Sequence, residues 1–100
     1  MEKGTVVVVN LQNPREKLIG ALQEISNAGI LLRGVDVNSF QDWIGELSRS
    51  KPGSSIAPST VFFPMHRVVN FYVDEDMGDI PSFASQCLNR TGKPLEGFLT

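Results

Sequence analysis

The strongest pattern along the chain is an apolar run from Thr5 to Leu11 that contains four consecutive valines, Val6 to Val9. Branching at Cβ suits a well-buried strand better than a helix, so this segment is predicted to be extended. The next stretch, Asn13 to Gly29, supports two readings. As a helix it has Asn13 as N-cap, Pro14 in the first helical position, Glu16 three residues after the cap, and Leu18, Leu22 and Ile25 on one face. As two strands it has turns at Gln12-Asn13-Pro14-Arg15 and Ser26-Asn27-Ala28-Gly29, flanking Lys17 to Ile25 and leading into Ile30 to Val37. Gly20 and Gly34 then fall in mid-strand, where a missing Cβ serves a sharp bend around a small barrel.

The segment 39–50 predicts a helix, because Phe40, Trp43, Ile44 and Leu47 recur on one face and Ser39 with Asp42 resembles a capping box. Ser, Pro and Gly enrichment from Arg49 to Ser59 predicts a loop. Thr60 to Asp74 is rich in Val, Phe and Tyr and predicts two strands broken at Met65-His66-Arg67, with Pro64 restricted to an edge or bulge. Beyond the acidic connection Asp74-Glu75-Asp76 and Asp79, a last helix is expected over 80–91, with Phe83, Ala84, Cys87 and Leu88 on its apolar face and Gly92 and Pro94 ending it. The apolar tail, Leu95 to Leu99, is expected to pack on the body.

Length and composition narrow the function classes. One hundred residues with 41% hydrophobic and 20% charged side chains describe one globular domain, 1–100, rather than a disordered chain. A formal net charge of -2 means that any nucleic-acid site must be local, because phosphate neutralisation needs clustered Lys and Arg. The N-terminus has no signal-peptide pattern and no apolar run is long enough to span a bilayer, so a cytoplasmic location without membrane contact is expected.

Candidate chemistry is sparse. A single histidine, His66, and a single cysteine, Cys87, rule out an internal disulfide, multi-cysteine zinc sites and multi-histidine metal centres. Cys87 reads as a buried structural thiol, and the acidic connection as a solvated loop whose charges favour the following helix N-terminus. Counting from Asp74 as the first residue of an EF-hand loop puts Ser85 where the bidentate glutamate belongs. Asp36 and Asp42 read as a turn residue and a helix-start residue. With no phosphate-binding glycine loop and no paired metal ligands, no enzyme and no cofactor are expected.

From Leu11 to Leu32 the order of residue types resembles the first motif of the Sm-like family, which includes Sm proteins of RNA-processing particles and a bacterial RNA chaperone. The residues that carry it are Leu11, Asn13, Lys17, Leu18, Gly20, Leu22, Ile25 and Ile30-Leu31-Leu32. The segment Phe63 to Phe71 is similar to the second motif, with His66 and Val68 where the chaperone has its histidine and the following aliphatic residue. The resemblance implies a mainly β fold: a small, strongly bent, five-stranded SH3/Sm-like barrel with strands in 5–38 and 60–74, an inserted helix at 39–50 and a C-terminal helix at 80–91. It also implies a homo-oligomeric ring with Phe62, Phe63, Val69, Phe71 and Tyr72 at the interface. Single-stranded RNA is the implied ligand, held by His66, Arg67 and Arg33 with Arg49 and Lys51 on its backbone.

The chain departs from the family at functional positions. Ser26 replaces the usual aspartate, Ile30 the base-contacting asparagine, and Pro64-Met65-His66 stands where the chaperone has Tyr-Lys-His. A scaffold barrel that has lost RNA binding is therefore an alternative. A second resemblance, to ACT-type regulatory domains, takes Val6 to Leu11, Asn13 to Asn27 and Ile30 to Val37 as strand, helix and strand, and implies a small-molecule sensor that binds amino acids at a dimer interface.

Overall fold

The computed structural model describes residues 1–49 and 55–100. Five strands, β1 (Val6–Leu11), β2 (Glu16–Ile25), β3 (Gly29–Asp36), β4 (Ser59–Pro64) and β5 (Val68–Val73), form one antiparallel sheet in the order β4-β3-β2-β1-β5. Among the described residues three helices accompany them: α1 (Val37–Ser48), α2 (Phe83–Thr91) and the short α3 (Leu95–Phe98). A 3-10 corner, Met65–Arg67, joins β4 to β5 at the predicted break. None of the helices among the described residues is long and apolar enough to cross a membrane.

The ambiguous segment is extended. Leu18 and Leu22 lie on β2, which pairs with β1 through Val6↔Ala21 to Leu11↔Glu16 and with β3 through Leu18↔Asp36 to Ile25↔Ile30. The helix-compatible pattern of this segment yields to pairing on both sides, since two ladders bury far more than one amphipathic face would. The strand-helix-strand opening expected of an ACT-type domain is thus absent, and the amino-acid-sensing alternative loses its structural basis.

The valine run occupies β1, which pairs with both β2 and β5. Both of its faces are covered. Val6 and Val8 point into a core with Ile19, Ala21, Val35, Phe40, Trp43, Ile44, Cys87, Leu95 and Leu99, on the side where the helices pack. Val7 and Val9 point into a second core with Leu11, Leu22, Ile30, Leu32 and Phe63, flanked by Leu18, Met65, Val68 and Phe71. Every residue of that second core comes from a strand or the 3-10 corner, so the sheet has to curl over its own face to fill it.

The connection between β4 and β5 demands the same curl. These strands lie at opposite edges, which in a flat five-stranded sheet would stand roughly 19 Å apart. The 3-10 corner bridges them with a span of about 8 Å. Backbone bonds from Gln12 N to Arg67 O (2.8 Å) and from Met65 N to Ala28 O (2.9 Å) tie the corner to the β1–β2 and β2–β3 turns. The sheet is therefore strongly bent, but no ladder joins β4 to β5, so the closed barrel expected from sequence is not formed by hydrogen bonding.

Gly20 and Gly34 sit opposite each other on β2 and β3. A Cβ on Gly20 would stand 2.4 Å from Arg33 O, and one on Gly34 2.2 Å from Ile19 O. No real side chain fits at either distance, so the bend passes through the one place where both strands lack a side chain.

The helices depart from expectation at their starts. Helix α1 begins at Val37 rather than 39, because β3 runs directly into it and Asp36 Oδ1 accepts a bond from Asn38 N at 2.7 Å. Asp36 is thus the cap, and the Ser39–Asp42 capping box is not used. Phe40, Trp43 and Ile44 are almost fully buried, each worth about 1.5–3 kcal/mol of hydrophobic stabilisation. Helix α2 begins at Phe83 rather than 80, with Ser82 as N-cap accepting from Ser85 N, and ends at Gly92 with φ 74°. Leu95 and Leu99 of the tail are buried, as expected.

Gly34→Ala is expected to destabilise the fold by about 3 kcal/mol, the upper end of overpacking costs. Gly97→Ala, where a Cβ meets nothing within 4 Å, should be neutral or stabilising by up to about 1 kcal/mol. Urea midpoints at unchanged m-value measure both.

Candidate functional site

The two edges of the sheet are the most unusual surfaces of the molecule. Strand β4 reads Ser-Thr-Val-Phe-Phe-Pro and β5 reads Val-Val-Asn-Phe-Tyr-Val, so neither carries a charged residue. Soluble proteins normally protect exposed edges with charge, bulges or a covering element, because unpaired N–H and C=O groups accept any passing strand. Here the side chains that flank those groups are apolar and open: Phe62 is 49% exposed and Val69 57%, with Tyr72, Val61 and Val73 close behind. Val61 and Val73 lie on the inner, concave side in register with Leu32 and Val7, while Phe62 and Tyr72 lie on the outer side in register with Leu31 and Val8.

A shallow recess of about 340 Å³ runs beside β4, with Leu18, Val35, Ile56, Val61 and Phe63 among its walls. Next to β5 lies a more polar recess of about 490 Å³, with Asn10, Arg15, Lys17, Asp36 and Asn70 in its wall. Across that edge Asn10 Nδ2 donates to Asn70 Oδ1 at 2.6 Å, linking β1 to β5 outside the backbone ladder.

The interface residues expected from sequence divide. Phe62, Val69 and Tyr72 are exposed on the edges and Phe71 is half-buried. Phe63 has to be corrected: at 5% exposure it belongs to the inner core, where the alternation of β4 turns it inward opposite Ile30.

Among the described residues, the cations expected to hold RNA lie on separate elements: the 3-10 corner, β3 and the end of α1. His66 is exposed at the 3-10 corner, and its carbonyl accepts from Gln12 Nε2 at 3.0 Å. Its neighbour Arg67 is turned inward. Arg67 Nη2 donates to Pro14 O at 3.0 Å and to Glu16 Oε2 at 2.6 Å, its Nε donates to Gln12 O at 3.2 Å, and its guanidinium stacks 5.8 Å from the Phe63 ring centroid. Arg67 therefore serves as a clasp between the corner and the β1–β2 turn. Arg33 lies on β3 and donates to Thr60 Oγ1 at 3.1 Å, at the far end of β4 from His66. Arg49 caps the end of α1 on the helical layer, and Lys51 lies outside the described residues. The clasp escaped sequence reading because Glu16 and Arg67 are fifty-one residues apart in the chain and no spacing pattern pairs them.

The acidic connection is spent on capping α2. Asp74 accepts from Phe83 N and Ala84 N, both at 2.9 Å, and Asp76 Oδ1 accepts from Ser82 N and Ser85 Oγ, both at 2.8 Å. This fits the expected role of its charges at a helix start. The bond from the Ser82 amide, followed by that from the Ser85 hydroxyl, holds the Asp76 carboxyl below the usual carboxylate range. Cys87 is buried, and burial pushes its thiol up, opposed by its hydrogen bond with Thr91 and aided by the nearby Glu96. Among the described residues no group of three or more His, Cys, Asp or Glu side chains is placed to hold a metal.

Compared with known proteins, the chain matches no family model, no curated protein and no solved structure.

Two outcomes follow from these side chains. A carboxyl with a lowered folded pKa stabilises the fold above the ordinary aspartate value of about 3.9, and that contribution is lost as pH falls through the folded value. Thermal melts should therefore show the native chain more stable than Asp76→Asn near neutrality, with the gap closing below about pH 4. Cys87 should resist an aromatic disulfide reagent in the folded protein and react at once in guanidinium, as thiol titration will show.

Proposed function

We propose that this chain is a non-enzymatic assembly module of the Sm-like type, in which β4 of one copy pairs with β5 of the next to build a homo-oligomer. The observation that carries this reading is the pair of uncharged, apolar edges at opposite sides of one bent sheet. Two different edges on one chain make a heterologous contact, which repeats from copy to copy and closes into a ring when the rotation per step allows. Backbone pairing satisfies the open N–H and C=O groups. Val61 and Val73, exposed on the inner side of the two edges, then continue that core across the junction.

A second copy is favoured as the occupant because the two edges match each other in length and in lack of charge. The module then acts as a scaffold whose oligomer presents repeated copies of the same corner and helical layer. Single-stranded RNA is the second reading, favoured by the exposed His66 ring at the corner. With Arg67 held by Glu16, few cations remain there to meet phosphates. Filter binding at two salt concentrations tests it, since affinity carried by phosphate contacts must fall steeply as salt rises.

Mixing two edge-blocked variants tests the assembly. Phe62→Lys places a charge on β4 and Tyr72→Lys places one on β5, each at an exposed position where the change in stability should stay within about 0.5 kcal/mol. Each variant alone should sediment as a monomer at micromolar concentration, and an equimolar mixture should form a heterodimer through the one intact edge of each. A monomeric native chain sinks the proposal, and so does a Tyr72→Lys variant that dimerises by itself, which would mean pairing of β4 with β4.

A further inference from the structure

Helices α1 and α2 meet along a polar seam built from residues spaced one turn apart, Gln41, Gly45 and Arg49 on α1 and Gln86 and Arg90 on α2. Gln41 Nε2 donates to Gln86 Oε1, and Arg90 Nη1 donates to Gln41 O at 3.2 Å and to Gln41 Oε1 at 3.1 Å. These bonds fix the Arg90 guanidinium over Gly45. At that glycine, Arg90 Nη2 lies 3.0 Å and Arg49 Nη2 3.6 Å from the point where a Cβ would stand. Two guanidinium groups thus converge on one point, and among the described residues neither is ion-paired to a carboxylate.

Like charges this close repel unless an anion or solvent lies between them. The opening above them is a recess of about 350 Å³ whose walls also include Asp42, Glu46 and Ser55. Glu46 is directed to Ser55, accepting from its amide at 3.0 Å and its hydroxyl at 2.6 Å. Asp42 is exposed on the rim. The converging groups present planar N–H forks, the donor geometry that fits the oxygens of a phosphoryl group.

We infer that Arg49 and Arg90, brought together over Gly45, form a binding site for a phosphoryl oxyanion on the helical layer, separate from the sheet edges. A Cβ on Gly45 would stand 3.0 Å from Arg90 Nη2, so the missing side chain lets the Arg90 guanidinium lie close against the α1 backbone beside Arg49. The carboxylates on the rim make the site selective for a small or singly attached phosphoryl group rather than a run of phosphates.

The test is a thermal-shift titration with inorganic phosphate, sulfate and a 5′-phosphorylated mononucleotide, each against sodium chloride of matched ionic strength. A ligand that binds only the native state raises Tm saturably. The native chain should gain several degrees, and both Arg49→Gln and Arg90→Gln should lose the response. Arg49→Gln guards against simple misfolding, because Arg49 is exposed at the end of α1 and its replacement should leave the ligand-free Tm nearly unchanged. Response to the nucleotide alone assigns the phosphoryl group of a larger molecule, and response to all three assigns the free oxyanion. A Tm that does not move beyond the chloride control, or that moves equally in both variants, overturns the site as an adventitious ion only.

Discussion

The three-residue corner between β4 and β5 constrains everything else in this protein. Strands at opposite edges of a five-stranded sheet cannot be joined by so short a link unless the sheet folds back on itself. That curl creates the inner core of Val7, Val9, Leu22, Ile30, Leu32 and Phe63 without any helix to cover it. It also forces β2 and β3 into contact at Gly20 and Gly34, where side chains on either would collide with the opposite backbone. Arg67 and Gln12 clamp the corner to the β1–β2 turn and hold the curl in place.

Two cores on two faces explain why β1 is a run of valines rather than an alternation. One face meets the helical layer and the other the curled sheet, so every side chain of Val6 to Val9 is buried. The cost of this arrangement falls on the edges. Curling brings β4 and β5 close at the corner but leaves no ladder between them, and their exposed backbones are flanked by Phe62, Val69 and Tyr72 instead of charge. An unprotected pair of edges is a liability in a monomer and an adhesive in an assembly. The proposed oligomer follows from that contrast.

Much of the architecture was legible from local pattern. The β1 valines, the apolar face of α1, the Met65–Arg67 break and the Gly92 stop each rest on short-range chemistry, and each is where the residues place it. Gly20 and Gly34 pointed to a bend because glycine in mid-strand has little other use. Less legible were the helix starts: Asp36 and Ser82 compete with neighbouring polar residues as caps, and the backbone entering the helix decides between them. Strand alternation turns Phe63 inward, and Arg67 is paired with Glu16, placements that no spacing in the sequence shows.

By itself, then, the sequence determined that 5–11 and 60–74 are extended, where the second of these breaks, and that two glycines allow a sharp bend. These follow from sterics and periodicity within a few residues. Only the tertiary structure decided that 16–25 is a strand, that the sheet stays open, and which cations are free. Those outcomes depend on pairing and charge neutralisation between residues far apart in the chain, and no local propensity encodes a partner fifty residues away.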